Sequence, residues 1–410
     1  MSTHAPAETV MQISRKLASL DRRALLLGAA GLVCRTPRAL AQGQDFQAFV
    51  QSLWPAAQAA GVSREVFDAA ANGLTPEPAV LQKPGAQSEF TVSIAAYVAG
   101  AATTSRVARG RALAAELTHM LRQLEQRNGV PGEILVAILA IESNFGTATG
   151  GADVLRVLAT LAWSGHMTQK LSDEYVAGLM LLQQGIPRHR LRGSWAGAMG
   201  MPQFMPSAYL KYAASFAGDG APDIWTSQPD ALASIASFLQ KSGWNPALPW
   251  GVETRLPQNF DFAAFDMDFA QFRALGFTAA NGEALPASGS ASLYMPAGAS
   301  GPAWLITDNF EVIRQYNTSD AYALAVAILA DRIAGSSTPI APWPKVTPLT
   351  TAQCKEMQQA LTRLGFYHGA IDGKLGRVAR NAVHAFQLSV GMQPADGLAT
   401  RAVLERLKGG

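Results

Sequence analysis

The chain has 410 residues, 49% of them apolar and 15% charged, with a formal net charge of +3. That length exceeds one ordinary domain and suits two or three, and the apolar share allows a sizeable core. A charge this near balance gives no basis for nucleic-acid binding, though it suits a partner that carries carboxylates.

The N-terminus reads as an export signal. Arg22 and Arg23 precede the apolar run Ala24 to Val33, too short to span a bilayer, and Ala39-Leu40-Ala41 forms a small-x-small cleavage site. The stretch DRRALLLG also resembles a twin-arginine signal. Residues 1–41 are therefore expected to be removed, and Gly31-Leu32-Val33 before Cys34 is a poor site for lipidation. Cleavage leaves Cys354 as the one remaining cysteine, so no internal disulfide is expected.

From about Phe46 to Ile333 the dominant pattern is helical. Ser105 to Gly129 mixes charges and apolar residues at helical spacing and stops at Asn128-Gly129. Pro131 suits the first turn of the next helix, whose apolar run from Ile134 to Ile141 leads straight into Glu142. Glu133 stands where the helix dipole favours a carboxylate, but Glu142 stands at the C-terminal end, where the dipole opposes one by about 0.3–1 kcal/mol. With Ile138, Ile141 and Phe145 limiting its hydration, the placement makes Glu142 a proton donor. On this segment alone a frayed, solvated helix end explains it as well.

The stretch GSWAGAMGMPQFMPSAY, Gly193 to Tyr209, comes next. Its Gly197 and Gly200 permit close backbone approach, and Pro202 and Pro206 stiffen the path. Ser194 and Gln203 there can donate to and accept from a sugar hydroxyl or an acetamide, while a plain glycine-rich loop entering a helix at Pro206 also fits. Pro229 to Trp244 is a helix begun by proline and ended by glycine. Between Pro246 and Trp304 the character changes to short strand-like runs, WGVETRLP and ASLYMP, read as a small irregular α+β lobe at 246–304. From Val312 to Ile333 an extended piece enters an apolar helix, with Ser319 or Asp320 as N-cap. Tyr316, Asn317 and Tyr322 gather at that helix start, a placement suited to stacking on a sugar and equally to capping and core packing. Residues 336–348 form a linker rich in proline and serine, and 349–408 read as three helices, two of them preceded by an Asp-Gly turn. The histidines (His4, His119, His166, His189, His368, His384) show no zinc-ligand spacing.

Together, AIESNFG, SWAGAMGMPQFMPSAY and RQYNTSDAYALAV resemble the lytic murein transglycosylases of the membrane-bound B type, and Glu89 to Leu113 is similar to the family's N-terminal part. The tail resembles the three-helix peptidoglycan-binding domain through LTRLGFYHGAIDGKLG and NAVHAFQ. The resemblance implies a mainly α fold, with a lysozyme-like helical catalytic domain over 42–335 and a C-terminal three-helix peptidoglycan-binding domain. It implies that Glu142 is the single catalytic acid and base, and that Ser194, Gln203, Tyr316, Asn317, Tyr322 and Tyr97 contact the sugars of peptidoglycan glycan strands. Together with the export signal, this gives the expectation of a periplasmic enzyme with no cofactor and no membrane span in the mature form. The chain departs from the family at Phe238, where a tyrosine is common. It departs again where relatives carry a calcium loop: Ser215 and Ala217 take the first ligand positions, leaving Asp219, with Asp230 beyond, so no tight calcium site is expected. In the tail, Val378-Ala379 replace the usual Lys-Thr after the turn, a weaker helix start.

Overall fold

The computed structural model describes residues 45–409 apart from 83–91, 166, 219, 259 and 346. The export signal, its cleavage site and Cys34 lie outside the described residues, as do His4 and His166. Helices α1 (Phe46–Ser52), α2 (Trp54–Ala59), α3 (Arg64–Ala71) and α4 (Pro78–Leu81) come first. They are followed by α5 (Ile94–Ala101), α6 (Thr104–Glu116), α7 (Thr118–Asn128) and α8 (Gly132–Ser143). Strand β1 (Ala152–Asp153) leads into α9 (Val154–Trp163) and α10 (Thr168–Gln183), then β2 (Arg192–Gly193), α11 (Pro206–Tyr212) and α12 (Gln228–Lys241). The lobe contains β3 (Gly251–Arg255), β4 (Asp266–Asp268), α13 (Phe269–Ala274), β5 (Thr278–Ala279), β6 (Ser290–Tyr294) and β7 (Ala303–Ile306). Then come α14 (Asp308–Tyr316) and α15 (Asp320–Ala334), and the tail forms α16 (Thr351–Arg363), α17 (Arg377–Ser389) and α18 (Arg401–Lys408). No helix among the described residues is long and apolar enough to cross a membrane.

The helix expected over 105–129 is divided at Leu117 into α6 and α7. The Thr118 hydroxyl bonds back to Ala114 O at 3.0 Å and Ala115 O at 2.8 Å, a contact that weakens and bends a helix. The chain passes between two compact units at this break.

The first unit holds α1 to α4, α7 from His119, α8 from Ile138, and everything from β1 through α12. Its centre is α9 packed on α10, with α11 against α10 and α12 against α11. Leu155 and Leu158 of α9, Leu179 of α10 and Ile235 of α12 are buried there. Asp153 starts α9 by accepting from Arg156 N at 3.1 Å, a side-chain N-cap.

The second unit holds α5, α6, the start of α8 to Ala137, and everything from Ser242 onward. The lobe read as irregular is a five-stranded antiparallel sheet in the order β4-β6-β7-β3-β5. The two runs picked out in the sequence are β3 and β6; the other strands have two to four residues, too few for a period of two to be visible. Helix α15 is buried on every side from Ala321 to Ala330 and is packed by α5, α6 and α14. The proline-rich segment after it is strapped to the sheet. The buried Glu253 carboxylate of β3 accepts from Thr338 Oγ1 at 2.8 Å, Ile340 N at 2.7 Å and Ala341 N at 2.9 Å.

The three tail helices close around Met357, Leu361, Val383, Phe386 and Leu404. Each Asp-Gly turn is gripped by a buried glutamine from an earlier helix: Gln358 Oε1 accepts from Gly373 N and Gln387 Oε1 from Gly397 N, both at 2.7 Å. Helix α17 begins after Gly376, an N-cap with no side chain to accept from the first turn, and Val378 is exposed. Cys354 is buried on α16 as a free thiol. The tail sits against the lobe: Ala395 joins the lobe's apolar cluster, His384 stacks on Phe265 at 4.3 Å, and Asp396 accepts from Ala299 N at 2.9 Å.

Candidate active site

Helix α8 buries seven consecutive residues, Ile134 to Ala140, so its direction is fixed by packing before the chain reaches Glu142. Glu142 is half-buried in the last turn. Immediately after the helix, Asn144, Phe145 and Gly146 all take left-handed backbone conformations, with φ of 50°, 60° and 86°. Two of these are not glycine, and such strain persists only where the surroundings enforce it. Here Ser143 Oγ donates to Leu139 O at 3.2 Å and accepts from Gly146 N at 3.0 Å, while Asn144 Nδ2 donates to Thr147 Oγ1 at 2.9 Å. The helix end is tied rather than frayed.

The chain then runs to the other motif of this unit. Gly150, at φ 81°, lies so close to the backbone of Gly193 and Ser194 that a Cβ would overlap the Gly193 carbonyl. The next residues pair as β1 with β2, Ala152 opposite Gly193 and Asp153 opposite Arg192. Gln203, itself left-handed at φ 54°, donates through Nε2 to Thr149 O at 3.1 Å and to Gly200 O at 2.8 Å. Glu142, Ser194 and Gln203 thus belong to segments fastened to one another within the first unit.

Their hydrogen-bond inventories limit what each can offer. Ser194 Oγ accepts from Ala198 N at 3.1 Å and Ala196 N at 3.3 Å, so its O–H is the group to donate to a ligand. Both amide hydrogens of Gln203 are engaged, which leaves its Oε1 as an acceptor. Phe238 is buried on α12 between Tyr212, at 4.7 Å, and Phe204, at 6.1 Å, and presents no hydroxyl.

Tyr97, Tyr316, Asn317 and Tyr322 belong to the second unit. Tyr97 is half-buried on α5, which packs on α15. Asn317 caps the end of α14, and Ser319 caps α15 through Tyr322 N at 3.3 Å, so of the two N-cap candidates serine holds the position. Tyr316 and Tyr322 are fully buried and stacked on each other, with centroids 6.4 Å apart and planes 11° from parallel. Their rings pack on each other within the core of the second unit.

The next three carboxylates after Glu142 in the sequence are all engaged in the fold. Asp153 caps α9 and pairs with Arg188 Nε at 3.2 Å. Asp173 accepts from Gln169 Nε2 at 2.8 Å. Glu174 is fully buried and accepts from Ser207 N at 2.9 Å and Ser207 Oγ at 2.6 Å, anchoring the first turn of α11 just after Gln203. The signal for Glu174 in the sequence is a carboxylate beside Asp173 at the edge of the apolar run that begins at Tyr175, a place where burial calls for a partner.

In the loop between α11 and α12, Asp219 lies outside the described residues. Asp230 spends both oxygens on the backbone, accepting from Phe216 N and Asp223 N at 2.9 Å each, and Ser215 Oγ accepts from Gly218 N at 3.2 Å. A hard cation needs several convergent oxygens, and the described residues contain no group of three or more acidic, histidine or cysteine side chains that could hold a metal. Tyr209 donates to Pro222 O at 2.5 Å, and burial, aided by Asp223 and Asp230, pushes its hydroxyl up to about 12, keeping it a donor. A cleft of about 360 Å³ in the second unit, lined by Asp266, Asp268, Asp308, Glu311 and Arg377 among others, contains none of the residues picked out in the sequence.

Comparison with known proteins matches residues 45–331 to the Transglycosylase SLT domain and residues 350–407 to a peptidoglycan binding domain. The chain is 33% identical over 231 residues to membrane-bound lytic murein transglycosylase B of Escherichia coli (strain K12), a match that covers 52% of this chain and 60% of that protein's length. It is similar to the crystal structure of SltB3 from Pseudomonas aeruginosa in complex with NAG-anhNAM-pentapeptide, at 40% identity and a TM-score of 0.81, over 89% of this chain and 100% of the other. It is also similar to the Escherichia coli transglycosylase Slt35 in complex with calcium, at 27% identity and a TM-score of 0.58, over 73% of this chain and 98% of that one.

Proposed function

The chain belongs to the Transglycosylase SLT family, and from that membership we propose that it is a lytic murein transglycosylase. It cleaves the MurNAc-β-1,4-GlcNAc bond of peptidoglycan and leaves 1,6-anhydro-MurNAc ends. The catalytic part corresponds to 42–335 and the wall-binding part to 349–408, joined by 336–348. A wall substrate implies action outside the cytoplasm. The periplasm, reached through a signal at 1–41 that includes a twin-arginine-like stretch, is the finer reading.

Glu142 gives its proton to the glycosidic oxygen as the bond from that oxygen to C1 of the muramyl unit breaks. The acetamide oxygen of the same sugar stabilises the cationic C1, the substrate-assisted alternative to a second carboxylate. Glu142, now a carboxylate, takes the proton from O6, and O6 closes on C1 without consuming water. The Ser194 O–H and the Gln203 Oε1 are suited to hold the acetamide and a neighbouring hydroxyl. Tyr97, Tyr316, Asn317 and Tyr322 keep the sugar-contact roles implied by the resemblance of their segments.

The observation that carries this reading is the single half-buried carboxylate at a tied, strained helix end, while Asp153, Asp173 and Glu174 are each committed elsewhere. A lysozyme-type hydrolase needs a second acid, and none of those three is available for that work. Glu142→Gln keeps the shape and removes the proton. It should cut the release of soluble fragments from sacculi by roughly a hundredfold or more while the protein still sediments with the wall. Release near the wild-type rate would overturn the assignment.

A further inference from the structure

Helix α17 of the tail carries two arginines that reach the body of the second unit. Arg377 Nη2 bonds Glu311 Oε1 on α14, and the other oxygen of Glu311 accepts from Arg314 Nε at 2.8 Å. Arg314 in turn lies 3.9 Å from Asp320, the first residue of α15. A run of alternating charge therefore leads from the tail across both sides of the turn between α14 and α15, the turn that contains Asn317 and directly follows Tyr316. Arg380, the next residue of α17 on the same face, lies with its guanidinium 5.3 Å from the centre of the buried Tyr294 ring on β6. Tyr294 is also within electrostatic reach of Asp320 and Arg377, so the four groups form one neighbourhood.

This joint is only partly satisfied. Thr318 Oγ1 and Asp320 Oδ2 are buried without hydrogen-bond partners among the described residues, while Tyr294 and Arg380 have only each other. A buried polar network with members unsatisfied is held by a few charged contacts, and it loses its geometry when one of them is removed. Thr318 and Asp320 belong to the turn itself and immediately flank the cap Ser319.

We propose that the tail is a positioning element for the catalytic part as well as a wall anchor: Arg377 and Arg380 of α17 hold the α14–α15 turn, and with it Tyr316 and Asn317, in the conformation that contacts the sugar. The proposal rests on the sugar-contact role given to that turn above. Both arginines act through Glu311, Asp320 and Tyr294 and are positioning residues, not catalytic ones.

The test uses the full-length protein and a soluble GlcNAc–MurNAc oligosaccharide, for which anchoring to the wall is irrelevant. KM and kcat are measured for wild type, for Arg377→Ala with Arg380→Ala, for Arg377→Lys with Arg380→Lys, and for Asn317→Ala. The alanine pair should raise KM by about tenfold with a smaller effect on kcat, and the lysine pair, which keeps the charges, should recover most of it. If the alanine pair melts too low to assay, Arg377→Ala alone carries the measurement. Unchanged KM and kcat in the arginine variants, with KM raised by Asn317→Ala, would overturn the positioning role and leave the sugar-contact reading standing. An Asn317→Ala variant with wild-type KM would overturn the sugar-contact reading, and the positioning role with it.

Discussion

Glu174 has no exposed surface, and its carboxylate is committed to the amide and hydroxyl of Ser207. Replacing it by alanine leaves that first-turn amide of α11 buried without an acceptor and opens a space within the α10–α11 packing. Glu174→Ala should lower stability by about 2–4 kcal/mol, read as a fall in denaturation midpoint, with Glu174→Gln in between because one acceptor survives. A midpoint equal to wild type would contradict this. Glu142 behaves oppositely: half-buried at a helix end, its removal should cost activity and little stability. The sequence separated these two glutamates only in part. Glu142 was legible because a lone acid closes an apolar run against the helix dipole. Glu174 sits beside Asp173 at the edge of an apolar run, and its partner is 33 residues away, a contact that no local spacing reveals. The burial of Tyr316 and Tyr322 was illegible for the same reason, since tyrosine at a helix start fits a core and a sugar site equally well.

At the scale of elements, α15 shows how burial couples to pH. Trp250 Nε1 donates to Asp331 Oδ1 at 3.0 Å. Burial pushes the Asp331 carboxyl up to about 7, with the nearby Glu253 adding to the rise and the Trp250 hydrogen bond opposing it. An unfolded aspartate ionises near about 3.9. Between those values the folded chain holds a proton that the unfolded chain has lost. The group's full contribution is therefore present below about pH 4 and is lost as pH rises towards about 7, by roughly 1–4 kcal/mol. Asp331→Asn keeps an acceptor for Trp250 and removes the titration. Its gain in melting temperature over wild type should grow from about pH 4 to about pH 8, and a gain that stays flat would contradict the linkage. Helix α15 itself was readable from its apolar run, as were α8 and the three tail helices from their periods and turns. The short sheet strands were not, nor was the break at Leu117, which depends on one threonine hydroxyl rather than on spacing.

At the scale of the whole molecule, the proline-rich segment and the tail are fastened to the lobe more closely than a linker and an anchor require. Glu253 holds Thr338, Ile340 and Ala341, and Asp396, His384 and Arg377 each meet a residue of the lobe or of α14. A cut near Ser337 would leave the Glu253 carboxylate buried without its donors, so loss of wall binding in such a truncation would mix anchoring with damage to the sheet. Point variants on α17 avoid that confusion. The reaction assigned to the catalytic part rests on one carboxylate serving as both acid and base, with the muramyl acetamide in place of a second. The most direct measurement is the mass of the sugar ends released from purified peptidoglycan by the wild-type protein. The account predicts 1,6-anhydro-MurNAc ends, lighter by one water than hydrolysed ends and absent with Glu142→Gln. Reducing MurNAc ends would mean that water is the nucleophile and that a second acid has been overlooked.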